Sequence, residues 1–261
     1  MYPVVFRIGS FEVTSFGVLV ALAALVGLWI FRSELKRSDL PIEGVDAALI
    51  GLMGGMMGAK VVWAVEFRHE APFLSLLLSR GGLSWFGGFV GGLGAGLWAL
   101  RRRRIPIIAA LAAAAPALAI GHAIGRIGCF LVGDDYGRPT DLPWGVAFPE
   151  GLPPTSVPVH PTQLYEAAVL IVVAWTLIRW RRKQMPDVLV FARYLVLAGT
   201  LRFLIEFIRI NARVIGPFTV AQVFSFAVVV TGLSLMVVNR QEGRTKKSVS
   251  RASKPAGKTY L

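Results

Sequence analysis

Seven runs of apolar residues, separated by short polar or basic segments, organise most of the chain. Each run approaches the roughly 20 residues that a helix needs to cross the hydrocarbon core of a bilayer. The runs cover residues 13–31, 45–65, 86–100, 105–121, 161–178, 188–207 and 218–238. The pattern predicts an all-α polytopic membrane protein with about seven transmembrane helices. The third run is the weakest of these predictions because it is short and only Arg101–Arg104 separates it from the fourth.

Two polar segments interrupt or follow the apolar pattern. Residues 122–160 are rich in glycine, proline, aspartate and aromatic residues, and they are too polar to span. We expect them to form a small head on the outer face of a transmembrane domain that covers residues 1–239. Residues 240–261 contain many lysines, arginines and serines with almost no apolar side chains, so we expect a basic, disordered cytoplasmic tail.

Basic residues set the expected orientation of the helices. The segments 32–44, 101–104, 179–187 and 240–261 carry three, four, four and seven lysines and arginines. Seven crossings would place all four segments on one side of the membrane. The positive-inside rule then puts the N-terminus outside and the C-terminus in the cytoplasm.

Composition narrows the classes of function. The chain is 55% hydrophobic and 16% charged, which is too apolar for an ordinary soluble domain. Its net charge of +13 comes from short basic runs between apolar stretches. We therefore expect these runs to set the orientation of the helices in the membrane, and we expect no nucleic-acid partner. One cysteine excludes an internal disulfide, and three widely spaced histidines offer no metal-ligand motif. We therefore expect no metal site. We also expect no cofactor.

Glycine-rich stretches lie at Gly51–Gly58 and Gly81–Gly96. Gly88, Gly92 and Gly96 are spaced four apart, which lets two helices approach closely in lipid. Close helix packing is the interpretation we favour for both stretches.

Arginines inside apolar segments indicate candidate chemistry, because a charge in a bilayer usually faces a cavity or binds an anionic group. Arg126 lies in GHAIGRIGCF, one helical turn after His122. Arg202 lies in GTLRFLIEFIR, with Glu206 and Arg209 predicted on the same stripe of the helix. Two guanidinium groups from separate helices could hold one phosphate of a lipid headgroup. A purely structural ion pair between Arg202 and Glu206 is the alternative.

Two further polar groups lie in or next to the predicted head. HPTQLYEA brings His160, Gln163, Tyr165 and Glu166 to the start of the fifth long helix, either as ligands or as a helix start with an interfacial tyrosine. GDDYGR contains Asp134 and Asp135, for which a turn is the alternative to acid–base chemistry. We favour Asp134 over Asp135 as a functional residue. For Cys129 we expect a small buried side chain.

The motifs GGLSWFGG, GRIGCFLVGDDYGR, HPTQLYEA and LRFLIEFIR occur in an order and spacing that resembles the bacterial prolipoprotein diacylglyceryl transferases. The resemblance covers residues 3–238. It implies a multi-pass enzyme of the bacterial cytoplasmic (inner) membrane that transfers the diacylglyceryl group of phosphatidylglycerol to the lipobox cysteine thiol of a prolipoprotein.

The resemblance also implies roles for particular residues. Arg126 and Arg202 match the arginines held essential in the family. Asp134 stands where the family often has glutamate, and Glu206 and Arg209 match family positions on the later helix. His160, Gln163 and Tyr165 complete the expected substrate-binding set.

Three positions depart from the familiar pattern of that family. Phe86 occupies the place of a histidine in GGLSWFGG, Cys129 that of an asparagine, and Phe16 that of a tyrosine. Phenylalanine cannot take a proton, so His122 is the expected substitute base. A buried histidine that is hydrogen-bonded to a backbone carbonyl is the alternative. Two other functions stay open: a catalytically silent relative, suggested by Phe86, and a transporter that uses the same arginines to bind an anionic lipid or solute.

Overall fold

Helices dominate the structure, a computed structural model that describes residues 4–9, 11–79, 81–214 and 216–252 of the 261. The helices are α1 (Ser15–Arg37), α2 (Gly44–Glu66), α3 (Phe73–Leu78), α4 (Trp85–Arg102), α5 (Ile107–Val132), α6 (Thr162–Arg182), α7 (Asp187–Ile205) and α8 (Val220–Ala252). Two antiparallel strand pairs complete the described elements: β1 (Val4–Ile8) with β2 (Phe11–Thr14), and β3 (Val146–Phe148) with β4 (Thr155–Val159). The predicted all-α polytopic class is confirmed.

Among the described residues, six helices are long and apolar enough to cross a membrane: α1, α2, α5, α6, α7 and the Val220–Gln241 part of α8. The 23 residues of α1 extend about 34 Å at 1.5 Å per residue, which exceeds the hydrocarbon thickness. The third predicted span is the exception. It corresponds to the 18-residue helix α4, which is rich in glycine and ends in Arg101 and Arg102. A total of seven spans stays a prediction.

The chain divides into two compact units, Met1–Ala24 with Leu118–Leu261 and Leu25–Ala117. In the second unit, α2 and α4 pack backbone to backbone. A Cβ atom added to Gly58 would lie 2.3 Å from the carbonyl oxygen of Gly87, and one added to Gly91 would lie 2.4 Å from that of Gly54. Only glycine permits this approach. The prediction that the glycine-rich stretches serve helix packing is confirmed.

In the first unit, small side chains let α5, α6 and α7 pack together. Ala123 of α5 packs with Ala167 and Leu170 of α6, and Ile127 and Leu201 lie against this cluster. The segment between α5 and α6 has its own small core, in which the ring of Tyr136 stacks on that of Phe148 with centroids 5.4 Å apart.

Two boundaries differ from the sequence prediction. Residues 122–132 are the last turns of α5 and do not belong to the head, because the glycines in GHAIGRIGCF are tolerated within the helix. The predicted disordered tail is helical as far as Ala252, since residues 240–252 contain no proline and continue the hydrogen bonding of α8. The last residues of that tail, 253–261, lie outside the described residues.

Candidate active site

Three long helices each contribute a charged side chain to one cluster within the first unit. Arg126 comes from α5, Glu166 from α6 and Arg202 from α7. Each residue lies within six positions of an end of its helix, which corresponds to a depth of roughly 9 Å or less at 1.5 Å per residue. Because the three ends coincide, the cluster lies near one face of the membrane and not at its centre.

The cluster closes into a ring of alternating charge. Arg126 pairs with Glu166 (Nε to Oε2, 2.8 Å), and Glu166 faces Arg202 (Oε1 to Nη1, 3.6 Å). Arg202 pairs with Glu206 (Nη2 to Oε2, 2.8 Å), which faces Arg209 (Oε2 to Nε, 3.9 Å). Asp135 completes the ring by binding both Arg209 and Arg126, the latter at 2.7 Å between Oδ2 and Nη1. We call these six residues the charge ring.

Burial differs among the members of the charge ring. The side chains of Glu166 and Glu206 are 1% and 0% exposed, and that of Arg209 is 4% exposed. Arg126 and Arg202 retain 12% and 24% exposure. Three cations against three anions make the ring neutral, so the arginines are compensated although they are largely desolvated. The two arginines that remain reachable are the pair singled out from the sequence.

Glu206 and Arg209 reach the charge ring by a different route from the predicted helical stripe. Helix α7 ends at Ile205, and residues 206–208 form a turn. Arg209 is then fixed by an isolated antiparallel bridge to Gly137, while the carbonyl of Ile208 accepts a hydrogen bond from the Arg138 amide. This backbone pairing, and not helix periodicity, brings Arg209 to Asp135.

The predicted ligand Gln163 has a supporting contact. Its amide nitrogen donates to the backbone carbonyl of Asp134, and the neighbouring Thr162 hydroxyl donates to the carbonyl of Asp135 at 2.8 Å. Both side chains are fully buried at the start of α6. They hold the turn that carries Asp135 against the arginines.

The two adjacent aspartates have opposite electrostatic environments. Burial raises the pKa of Asp134, and its neighbour Asp135 raises it further, although a hydrogen bond with Cys129 opposes the change. Burial alone would raise the pKa of Asp135 as well, but the charges of Arg209 and Arg126 outweigh it and lower that pKa. Asp135, which the sequence interpretation ranked below Asp134, is thus the aspartate that pairs with the arginines.

His122 lies on α5 one turn before Arg126, where it is exposed at the helix surface. It is within electrostatic range of both Arg126 and Arg202. Phe86, the residue whose identity first suggested His122 as a base, lies at the start of α4 with its ring edge-on to Trp85 at 5.2 Å between centroids. Its side chain is 50% exposed.

His160 and Tyr165 form a separate group in the described structure. The Tyr165 hydroxyl accepts a hydrogen bond from the Trp144 indole at 2.7 Å and lies 3.4 Å from Nδ1 of His160. Neither residue forms an ion pair with a member of the charge ring within the described residues. Their assignment as substrate ligands stays a prediction.

Cys129, Asp134 and Asp135 could present three ligand atoms within 4.8 Å of one another. Asp135 is already bound by two guanidinium groups, and Arg126 Nη1 lies 3.9 Å from the cysteine sulfur. These fixed positive charges oppose a bound cation, so the donor set does not fit a metal ion.

Sequence reasoning missed the central position of Glu166. It is the only acidic residue of helix α6, and it lies at the opposite end of that helix from the arginines. Glu206 was singled out because a charged side chain within a membrane segment is costly in free energy, and the same argument applies to Glu166.

The comparisons with known proteins cover nearly the entire chain. The family described as prolipoprotein diacylglyceryl transferase matches residues 3–238. A phosphatidylglycerol–prolipoprotein diacylglyceryl transferase of Geobacter sulfurreducens is 33% identical over 253 residues, which cover 90% of this chain and 94% of the relative. A protein of the same name from Vibrio vulnificus is 30% identical over 263 residues and 95% of each chain. The resemblance seen in the motifs is confirmed: the chain belongs to the prolipoprotein diacylglyceryl transferase family.

Proposed function

We propose that this protein transfers the diacylglyceryl group of phosphatidylglycerol to the thiol of the lipobox cysteine of a prolipoprotein. Family membership supports the class of reaction, and the names of the relatives state both phosphatidylglycerol and prolipoprotein. The observation that carries the assignment to particular residues is the pair Arg126 and Arg202, which come from two helices and flank the buried carboxylate of Glu166.

The proposed reaction is a displacement at carbon. The cysteine sulfur forms a bond to the glycerol carbon that carries the phosphate, and the bond between that carbon and the phosphate oxygen breaks. The electron pair of the broken bond leaves with glycerol phosphate, and the thiol loses its proton to a base. The reaction therefore needs positive charge at the departing phosphate and a proton acceptor at the sulfur.

Arg126 and Arg202 are suited to the first requirement. Guanidinium groups remain charged and present forked donors that match phosphate oxygens. Glu166 fixes both arginines, with Asp135 holding Arg126 and Glu206 holding Arg202 on the other sides. Donors that are fixed before the reaction need not reorganise as charge develops on the phosphate. Their partial exposure leaves room for a headgroup to reach them.

His122 is our candidate for the proton acceptor. It lies one turn from Arg126 on α5, and a neutral imidazole has an unprotonated ring nitrogen that can accept the proton of a thiol. A thiol that attacks a carbon bound to a phosphate held by Arg126 would pass close to this helix face. The variant His122→Ala should lower the rate of transfer on the order of 10²-fold or more and remove the titration of an imidazole from its pH–rate profile. An unchanged rate and profile would exclude His122 as the base.

We place the charge ring on the outer face of the bacterial inner membrane. Support comes from the basic segments 32–44, 101–104 and 179–187, which the positive-inside rule assigns to the cytoplasm. In α6, Glu166 lies near one end of the helix, and Arg181 and Arg182 lie at the other. The N-terminus is then outside and the C-terminus is cytoplasmic.

Complementation of a strain depleted of its own transferase tests the proposal. The wild-type gene should restore growth, whereas Arg126→Ala and Arg202→Ala should each fail although the proteins reach the membrane. Arg182→Ala removes an exposed arginine at the opposite end of α6 and serves as the control. Growth supported by either ring variant would refute the phosphate-binding role of the pair.

A further inference from the structure

A cavity of about 480 Å³ lies beside the charge ring, in the segment that connects α7 to α8. Its walls include Arg138, Glu206, Arg209, Arg213, Phe218 and Gln222. Two of these residues, Glu206 and Arg209, also belong to the charge ring. We call this space the 206–222 cavity. It shares these two residues with the ring, and Arg126, Glu166 and Arg202 are not among its lining residues.

The charge of the 206–222 cavity is positive. Three arginines line it, against the single carboxylate of Glu206. That carboxylate is already engaged by Arg202 at 2.8 Å and by the Asn211 amide at 2.7 Å. Arg138 and Arg213 are exposed, and neither forms an ion pair within the described residues. Two guanidinium charges of the cavity therefore lack a fixed counterion.

Arg209 provides a second and independent indication of a ligand. Its side chain is 96% buried, yet Nη1 and Nε have no hydrogen-bond partner among the described residues. An unused donor on a buried guanidinium is costly, and a forked oxygen anion is the partner it fits.

The remaining walls suit a small polar molecule with a carbon backbone. Phe207, Pro217 and Phe218 form an apolar side, and Asn211 offers an amide. Thr219 and Gln222 close a capping box at the start of α8, in which each side chain accepts a hydrogen bond from the backbone amide of the other, at 3.1 and 3.2 Å. The positive end of the α8 dipole points toward the same region and adds to the attraction of an anion.

We propose that the 206–222 cavity binds a glycerol phosphate group. The inference rests on the proposed function, in which glycerol phosphate is the fragment that leaves phosphatidylglycerol. A phosphate released between Arg126 and Arg202 meets Arg209 next, and Arg138 and Arg213 then offer unpaired positive charge in an exposed segment. The diacylglyceryl chains stay with the sulfur in the membrane, so the two products separate in different directions.

Inhibition by the product tests this proposal. Transfer is measured with phosphatidylglycerol and a lipobox-cysteine peptide while glycerol phosphate is added, for the wild type, Arg138→Gln/Arg213→Gln, Arg213→Gln alone and the control Arg182→Gln. The double variant should raise the inhibition constant of glycerol phosphate by roughly tenfold, and Arg213→Gln by less, because each removes a charged donor. A rise in the KM for phosphatidylglycerol instead would mean that the cavity holds the headgroup of the intact lipid.

Equal inhibition constants and equal KM values in the double variant and in Arg182→Gln would overturn the proposal. Calorimetric titration of the purified wild type with glycerol phosphate gives a readout that does not depend on catalysis. If the wild type binds glycerol phosphate, the double variant does not, and the wild type shows no transfer, then the binding proposal is supported and only the proposed function is refuted. If the wild type is active but shows no detectable binding of glycerol phosphate, only the proposed binding by the 206–222 cavity is refuted.

Discussion

The α2–α4 pair and the charge ring bring helices together by opposite means. In the first, Gly58 and Gly87 remove side chains altogether, so that backbone meets backbone. In the second, α5, α6 and α7 converge on long charged side chains that neutralise one another. Glycine packing needs no ligand. The charge ring brings together six charged side chains, three of them almost fully buried, an arrangement that stability alone does not favour over apolar packing. The charged side chains of the ring are therefore better explained by function than by helix packing.

The largest effect on stability is expected from Glu166→Gln. This change leaves Arg126 and Arg202 without the carboxylate that they share, and removing one partner of a buried ion pair costs about 3–5 kcal/mol. Thermal unfolding in detergent measures the loss. Glu12→Gln breaks the exposed pair with Arg7 and should change stability by less than about 1 kcal/mol. Similar losses for the two variants would show that the ring is not a buried electrostatic unit.

Gly58→Ala should destabilise the other region. Its Cβ atom would lie 2.3 Å from the Gly87 carbonyl oxygen, so α2 and α4 must separate at a cost of about 1–3 kcal/mol. Gly94→Ala, on the same helix pair, would meet no atom within 4 Å and should leave the unfolding temperature unchanged or slightly higher. If both alanines are tolerated alike, the glycines do not set the distance between these helices.

Lys60→Met tests the turn that precedes α4. The Lys60 ammonium donates to the carbonyl of Ser79 at 2.7 Å and to its hydroxyl at 2.9 Å, and it also binds the carbonyl of Gly81. Losing these bonds should cost about 1–2 kcal/mol and speed hydrogen exchange in Gly81–Ser84. The exposed Lys36→Met is the matched control. Exchange that is equally slow in both variants would mean that the lysine does not hold this turn.

The smallest effect concerns acid stability. Asp135 has a lowered pKa in the folded protein, so its ion pairs contribute fully above the ordinary carboxyl pKa and are lost as the pH falls through the lower folded value. Unfolding temperatures from about pH 6 to pH 3 should therefore decline more steeply for the wild type than for Asp135→Asn. The pKa of the Asp134 carboxyl is shifted upward in the wild type, so the variant Asp134→Asn should keep the steep decline. An equally steep decline in Asp135→Asn would contradict the assignment.

The sequence predicted the long helices well because a bilayer imposes a length and a composition that can be counted. It also predicted that Arg126 and Arg202 hold one phosphate, from the cost of placing charge in a bilayer, and the family resemblance supported this. Spacing along the chain alone cannot show that α5 and α7 converge. The predicted end of α5 at residue 121 was wrong because the glycines around Arg126 resemble those of a loop, whereas the helix continues to Val132.

The remaining contacts of the site depend on tertiary structure. Asp135 meets Arg209 across 74 positions of sequence, through a turn in which Asp135 adopts a φ of 60°. Strands of three to five residues within a segment rich in glycine and proline also leave little periodicity to detect. Such pairings become visible only when the backbone of residues 133–161 is known.

Transfer in a purified system tests the central claim most directly. The protein in detergent is combined with phosphatidylglycerol and a lipobox-cysteine peptide, and mass spectrometry follows the peptide. A gain of one diacylglyceryl group as a thioether, lost in Arg126→Ala and Arg202→Ala and retained in Arg182→Ala, is the predicted result. An unmodified peptide, in a reaction where a relative with histidine at the position of Phe86 is active, would contradict the account and indicate a silent member of the family.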